Sequence, residues 1–346
     1  MGGHTRSSYL ALVPKEANPS TFNRFWPISL CNSSYKIITK IVANRIKKVL
    51  HLIISENQGR FVPNRQNIDN VIIVQEAVHS SILKREKGMI IKLDMANAFD
   101  RVSHSYLLAV LQKLGFSKEI IEVIKECIST PWIAPLINGR PSEFFQSTRG
   151  LRQGCPLSPF LYIIMAETLS RALETQRKER TITGLRIAKG IWTINHSLFA
   201  DDTLLVGGAS TIIARRFKKI MDAFLQVSRG LLNNTKCRIY GWNIPPRTLQ
   251  RISQMMEIPA QENWSHFLYL GLPISKEIMK AEIWTKQIGK MQDRIKNWGM
   301  MWLNMAGRVI LIKALLVALP IYQYALIMAP ASAHKQMELI LRSFLW

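Results

Sequence analysis

The sequence predicts an α+β chain with a helical C-terminal region. Short strand-like runs bounded by turn residues alternate with amphipathic helical patterns up to about residue 275, and from about 277 onward the pattern is almost wholly helical. Hydrophobic residues make up 48% of the 346 positions and charged residues 20%, the balance of a packed chain rather than a disordered one. That length can bury a sizeable core and hold two or three subdomains.

The first helix is expected at 34–50, "SYKIITKIVANRIKKVL", where Ile37, Ile38, Ile41, Val42, Ile46 and Leu50 recur at helical spacing. "GMIIKLDM" (88–95) alternates Met89, Ile91 and Leu93 against Ile90, Lys92 and Asp94 and reads as a strand. In "SHSYLLAVLQKLGF", Ser103 offers an N-cap and Gly115 a stop for the next helix. "LSPFLYIIMAETLSRALETQ" starts a long helix with Ser158 as N-cap and Pro159 in the first turn. "HSLFADDTLLVGG" (196–208) fits a hairpin whose bend carries two aspartates. A further helix runs from a Ser210 cap to a Gly230 stop, and "KCRIYGW" (236–242) and "HFLYLGLPI" (266–274) read as short strands.

Lys and Arg outnumber Asp and Glu by 46 to 23, a net charge of +23. Such a surplus suits a polyanionic partner, most often nucleic acid. Cys31, Cys127, Cys155 and Cys237 are scattered without metal-ligand spacing, which points to a reducing, intracellular setting. No secretory or other targeting signal is evident at the start. The most apolar stretch, 314–331, is interrupted by Pro320, Gln323 and Pro330, so no membrane partner is expected.

Asp201 and Asp202 stand side by side in a run that otherwise reads as buried strand. Two carboxylates about 4 Å apart repel by roughly 4 kcal/mol at an effective dielectric near 20. Asp94 closes the "MIIKL" strand, and two neighbouring strands in one sheet would bring it beside Asp201. A divalent cation relieves such a cluster, and Mg²⁺ commonly shares carboxylates with substrate phosphates. Two such ions about 3.5–4 Å apart stabilise both the attacking and leaving oxygens of phosphoryl transfer.

"KLDMANAFDRVSH", "GLRQGCPLSPFLYIIMAETLSRAL" and "HSLFADDTLLV" occur in the order and spacing of reverse transcriptase motifs. The chain resembles the reverse transcriptase domain of LINE-type non-LTR retrotransposons, closest to those of plant genomes. Nearly all of residues 10–346 share in the likeness, including "ISENQGRFVPNRQNIDNVI" and "FLYLGLPI". The resemblance implies a right-hand polymerase fold with a ferredoxin-like antiparallel palm sheet, fingers and a helical thumb. Residues 1–88 would form a fingers-like region, 89–275 the palm with part of the fingers, and 276–346 a thumb-like region truncated at its C-terminus.

The resemblance further implies an RNA-directed DNA polymerase that extends a DNA primer on an RNA template with deoxynucleoside triphosphates. Asp94, Asp201 and Asp202 would be the catalytic, metal-binding acids for two Mg²⁺ ions, with Mn²⁺ a possible substitute and the Met95 carbonyl assisting. Asp202 would be the weaker ligand. Phe99 matches the steric gate that rejects a ribose 2′-OH. Lys15, Arg152, Gln153, Gly154 and Lys236 would border the nucleotide. Arg65 would lie near the template, and Tyr269, Leu270 and Gly271 would support the primer end. Nuclear or cytoplasmic placement follows from the same likeness, which leaves the oligomeric state open.

Trp26 departs from the pattern, since relatives carry an arginine before "PISL"; Arg24 would share its strand face and substitute in part. Relatives also carry an upstream endonuclease and a Cys/His-rich tail, so the chain reads as a fragment. A catalytically inactive remnant that at most binds nucleic acid is the alternative reading. Another palm polymerase is a third, disfavoured by Phe99 and by "FADD" in place of Gly-Asp-Asp.

Overall fold

The computed structural model describes residues 7–188, 190, 193–276, 281–297 and 303–346. The chain divides into two compact units. The first takes the described residues up to Asn70 and from Ser80 to Asn263, and the second takes Val71–His79 and Trp264–Trp346.

The first unit opens with β1 (Ser7–Pro14), β2 (Phe25–Cys31) and α1 (Ser33–Ile53), followed by α2 (Asn67–Leu83), whose middle groups with the second unit. Strand β3 (Gly88–Leu93), α3 (His104–Lys113), α4 (Lys118–Ser129) and β4 (Trp132–Ile137) come next, then the short β5 (Arg140–Pro141) and β6 (Phe145–Gln146). Helix α5 (Ser158–Lys178) leads to β7 (Leu185–Arg186), β8 (Thr193–Ile194), β9 (His196–Phe199) and β10 (Asp202–Gly208). Helix α6 (Thr211–Ser228), β11 (Arg238–Trp242), α7 (Pro246–Met256) and β12 (Ala260–Gln261) complete it.

The central sheet has the order β12-β11-β3-β10-β9, antiparallel except for the β11–β12 pair. Strand β3 lies in its middle. Met89, Ile90, Ile91 and Leu93 are all fully buried, as a strand covered on both faces requires. The expected alternation of Ile90 and Lys92 against the apolar set therefore holds only at Lys92. Helices α5 and α6 pack on β9 and β10, and the largest core cluster joins this sheet to α1, α3 and α5 through residues such as Leu50, Leu107 and Leu161. A second sheet, β2-β1-β4-β5 with β6 on β4, pairs β1 parallel to β4 and antiparallel to β2.

Local signals explain most boundaries. Ser103 and Ser210 cap α3 and α6 by accepting from the backbone N–H groups of Tyr106 and Ile213. Gly115, at φ 85°, closes α3, whereas at the end of α6 the left-handed residue is Arg229 (φ 60°), one position before Gly230. Ser158 is not a cap. Leu157 holds that position with φ −83° and ψ −32°, and Ser158 is already the first helical residue, so its side chain has no capping role.

The second unit contains a hairpin, β13 (His266–Tyr269) and β14 (Leu272–Ser275), and helices α8 (Ala281–Asn297), α9 (Met305–Leu311), α10 (Ala318–Tyr324) and α11 (Ala331–Leu345). Residues 266–274 are thus a hairpin rather than one strand, because Leu270 and Gly271 turn the chain at φ 51° and 82°. Gln75 of α2 joins β14 reciprocally: its Nε2 donates to the Ser275 carbonyl and its Oε1 accepts from the Ser275 N–H. Trp284, Met291, Leu316 and Phe344 are buried together as a separate core. Among the described residues, one helical stretch, Met305–Tyr324, is long and apolar enough to cross a membrane by length and composition alone.

Candidate active site

Antiparallel register brings the acids together. Leu93 pairs with Thr203, so Asp94 leaves β3 one step beyond that pair, beside the tight bend at Ala200 and Asp201 that joins β9 to β10. Residues 94–96 are then tied to 231–233: the Asp94 carbonyl accepts from the Asn233 N–H at 2.8 Å, and Ala96 N–H donates to the Leu231 carbonyl at 2.8 Å. The turn after Asn233 carries Lys236 back to Asp94, with Nζ 3.8 Å from Oδ2. Exposed Lys236 makes this a loose pair.

The acids open into a cavity of about 1120 Å³. Its wall includes Lys15, Trp26, Arg60, Met95, Phe99, Arg152, Gln153, Gly154 and Lys236 beside Asp94 and Asp201. Asp202 is not on that wall. It begins β10 and pairs with Phe199, one step from the Thr203–Leu93 pair, and burial, then Asp201 and Asp94, push its carboxyl up. Asp94 and Asp201 thus line the cavity, and Asp202, the third expected acid, lies within electrostatic reach of both.

Burial pushes the Asp201 carboxyl above the usual carboxylate range, and Asp94 adds to the rise while Arg60 and Lys236 oppose it. Asp202 is also raised by burial first and by Asp201 next. Among the described residues no group of three or more His, Cys, Asp or Glu stands in a metal-holding arrangement. The donor set of Asp94 and Asp201 is nevertheless one that fits a hard divalent ion: two part-buried carboxylates in mutual repulsion on the wall of an open cavity.

Asn97 turns the chain at φ 48° into a short 3-10 helix, Ala98–Arg101, which presents Phe99. The Phe99 ring stacks on Tyr162 of α5 with centroids 4.8 Å apart and planes at 22°. Gln153 is held at both ends, its Nε2 donating to Asp100 Oδ1 at 3.1 Å and its carbonyl accepting from the Ser29 N–H at 2.7 Å. Gly154 adopts φ 101°, and a Cβ there would sit 3.0 Å from the Ser29 carbonyl oxygen, so a side chain would be strained both by its backbone angle and by that contact. Arg152 stacks over Tyr35, 3.8 Å from the ring centre, and donates to the Cys127 carbonyl. Lys15 donates its N–H to the Arg24 carbonyl, and the Arg24 guanidinium is engaged with Glu16.

Arg65 is elsewhere. Its guanidinium donates to the carbonyls of Ile54, Ser55 and Gln58, closing the end of α1, and it is not part of the cavity wall. Tyr269, Leu270 and Gly271 form the hairpin end in the second unit, where the Leu270 carbonyl accepts from the Tyr322 hydroxyl at 3.0 Å.

Two residues of the site escape sequence reasoning. Arg60 reaches the wall with its guanidinium 4.9 Å from the ring centres of both Phe61 and Phe199. Gln58, only 1% exposed, accepts at Oε1 from the N–H groups of Ala200 (2.9 Å) and Arg60 (3.1 Å). Ala200 is the left-handed residue (φ 57°) directly before Asp201. The segment around Gln58 is itself anchored: Gly59 N–H donates to the Leu198 carbonyl, and Leu198 N–H to the Asn57 carbonyl. Any signal was confined to "ENQGRF", a stretch with no local pattern that sets it against residue 200.

A family described as "Reverse transcriptase (RNA-dependent DNA polymerase)" matches residues 13–274. A Xenopus laevis protein, "Transposon TX1 uncharacterized 149 kDa protein", is 27% identical over 99% of this chain, which spans 26% of it. The Drosophila melanogaster Pol polyprotein from the type-2 retrotransposable element R2DM is 25% identical over 77% of the chain, which spans 25% of it. The chain therefore covers about a quarter of these relatives. Among solved structures, telomerase from Candida tropicalis aligns over 98% of this chain and 53% of its own, with a TM-score of 0.55 at 11% identity.

Proposed function

The chain belongs to the reverse transcriptase (RNA-dependent DNA polymerase) family, in the branch carried by non-LTR retrotransposons, and has the right-hand polymerase fold; from this premise we propose that it catalyses RNA-templated DNA synthesis by two-metal nucleotidyl transfer. The observation that carries the proposal is the meeting of Asp94 and Asp201, from distant parts of the sequence, on one wall of the 1120 Å³ cavity. On this reading residues 1–88 are fingers-like, 89–275 palm and 276–346 thumb-like, and the protein works in the nucleus or cytoplasm.

Asp94 and Asp201 would hold the divalent cations, Mg²⁺ or in its place Mn²⁺, which supply charge neutralisation at the phosphates and lower the barrier to attack. Asp202, coupled to both acids, would complete the acid set as the weaker ligand. Phe99, braced by Tyr162, is a fixed wall against a ribose 2′-OH and so selects deoxynucleotides. The Gln153–Gly154 loop offers bare backbone to the incoming base pair, held in place by Asp100 and Ser29. Lys15, Arg60 and Arg152 supply cations for the triphosphate, and Lys236 is placed to stabilise departing pyrophosphate. Tyr269, Leu270 and Gly271 would support the primer end, and the template is RNA.

Primer extension with purified protein, Mg²⁺, deoxynucleotides and a poly(rA)–oligo(dT) substrate tests the proposal. Extension that disappears in Asp201→Ala is the expected result. A parent chain with no extension, while still binding the substrate, would support the inactive-remnant reading instead.

A further inference from the structure

A second charged cavity, of about 860 Å³, lies at the other end of the central sheet. Its wall includes Gly208, the residue that pairs with Gly88 at the start of β3, whereas Asp94 follows the end of that strand. Six residues of strand at about 3.3 Å each put the two sites about 20 Å apart. The wall carries Lys87, Arg177, Lys178, Arg180 and Arg186 against one carboxylate, Glu86.

Two of these cations have an ordinary explanation. Arg177 and Lys178 sit in the last turn of α5, where positive charge complements the helix dipole, and Arg177 is also bound to Glu174. Arg180, directly after the α5 C-cap, shares it in part; Lys87 and Arg186 do not. Lys87 precedes β3 and Arg186 lies in β7, and all three are exposed. Arg180 takes φ 57°, the left-handed position after a helix that glycine fills at lower cost. The fold thus gathers charge from separate segments around one hollow.

We infer that this hollow binds the phosphodiester backbone of a single RNA strand, at a site separate from the catalytic cavity; the inference rests on the polymerase reading above. A strand carries one negative charge per nucleotide, so it meets several spaced cations at once, which a single small anion cannot. Exposed cations around a hollow read backbone rather than bases, so the site would hold RNA with little sequence preference.

The test uses the full chain and the triple variant Lys87→Ala, Arg180→Ala, Arg186→Ala. Two substrates are compared: a primer–template too short to leave the catalytic cavity, and a long unstructured poly(A) RNA. The variant is expected to extend the short primer–template as the parent does. On poly(A) its log affinity should fall less steeply with log salt, the slope dropping by about 2 for three lost contacts, and its affinity at low salt should drop at least about tenfold. An unchanged slope and affinity on poly(A) overturns the inference. So does displacement of poly(A) from the parent by millimolar inorganic phosphate at constant ionic strength, which would identify a small-anion pocket. Failure of the polymerase reading appears separately, as a parent chain that does not extend the short substrate.

Discussion

Gln58→Met keeps the length and volume of a buried side chain but removes the acceptor that holds the bend before Asp201. The Ala200 N–H, buried with its residue at 3% exposure, loses its partner, and an unsatisfied buried donor costs about 1–3 kcal/mol. The Arg60 N–H belongs to an exposed residue and can turn to water. Against this loss, Gln58 Nε2 is itself buried with no partner, and methionine removes that penalty of similar size. Global stability should therefore change by less than about 1 kcal/mol, because the two terms oppose each other. The bend feels only the loss. A left-handed alanine is held against a preference of about 1–2 kcal/mol, and without its anchor the correctly placed Asp201 becomes about tenfold rarer, since 1.4 kcal/mol is one decade. Single-turnover primer extension across a Mg²⁺ titration, with urea unfolding in parallel, measures both. The expected result is extension about tenfold slower at low Mg²⁺, recovering in part as Mg²⁺ rises, with the unfolding midpoint little moved. Unchanged extension at every Mg²⁺ concentration would refute the argument, and a large midpoint shift would show that the two buried groups do not offset.

Other outcomes follow from the same geometry. Phe99→Ala removes the ring braced on Tyr162, so incorporation of ribonucleotides should rise at least about tenfold relative to deoxynucleotides in matched single-nucleotide extensions. Gly154→Ala places a methyl 3.0 Å from the Ser29 carbonyl at φ 101°, a strain of about 1–3 kcal/mol, and should raise KM for the nucleotide while DNA–RNA binding stays as in the parent. Trp26→Arg restores an arginine at the cavity wall and should tighten nucleotide binding by equilibrium titration; no tightening counts against a missing phosphate contact. His196 is fully buried, and burial holds its ring down at about 3 against an ordinary 6.5. The unfolded chain therefore binds the extra proton first, and stability is complete above 6.5 and declines as pH falls from there toward 3. Between pH 6.5 and 5 this amounts to about 2 kcal/mol in urea unfolding, and His196→Gln should flatten that part of the profile.

Much of this molecule was legible in local pattern. Helical spacing located α1, α3 and α6, the serine caps of the latter two are ordinary backbone chemistry, and the hairpin around 196–208 followed from two apolar runs meeting at an acidic bend. Asp94 and Asp201 were identifiable because charge in a buried strand demands a reason, and the family motifs around them supplied one. What the sequence could not decide were matters of facing and distance. Asp202 stands beside Asp201 in sequence, yet it is Asp201 and Asp94 that line the cavity. Arg65 reads along the chain only as a cation, and the fold sets its guanidinium against the carbonyls of Ile54, Ser55 and Gln58. Gln58 is an ordinary polar residue until the fold sets it 2.9 Å from Ala200, and Arg60 gains its place through the same packing. Residue type and period act along the chain, whereas burial, register and the choice of partner depend on segments that only folding brings within reach.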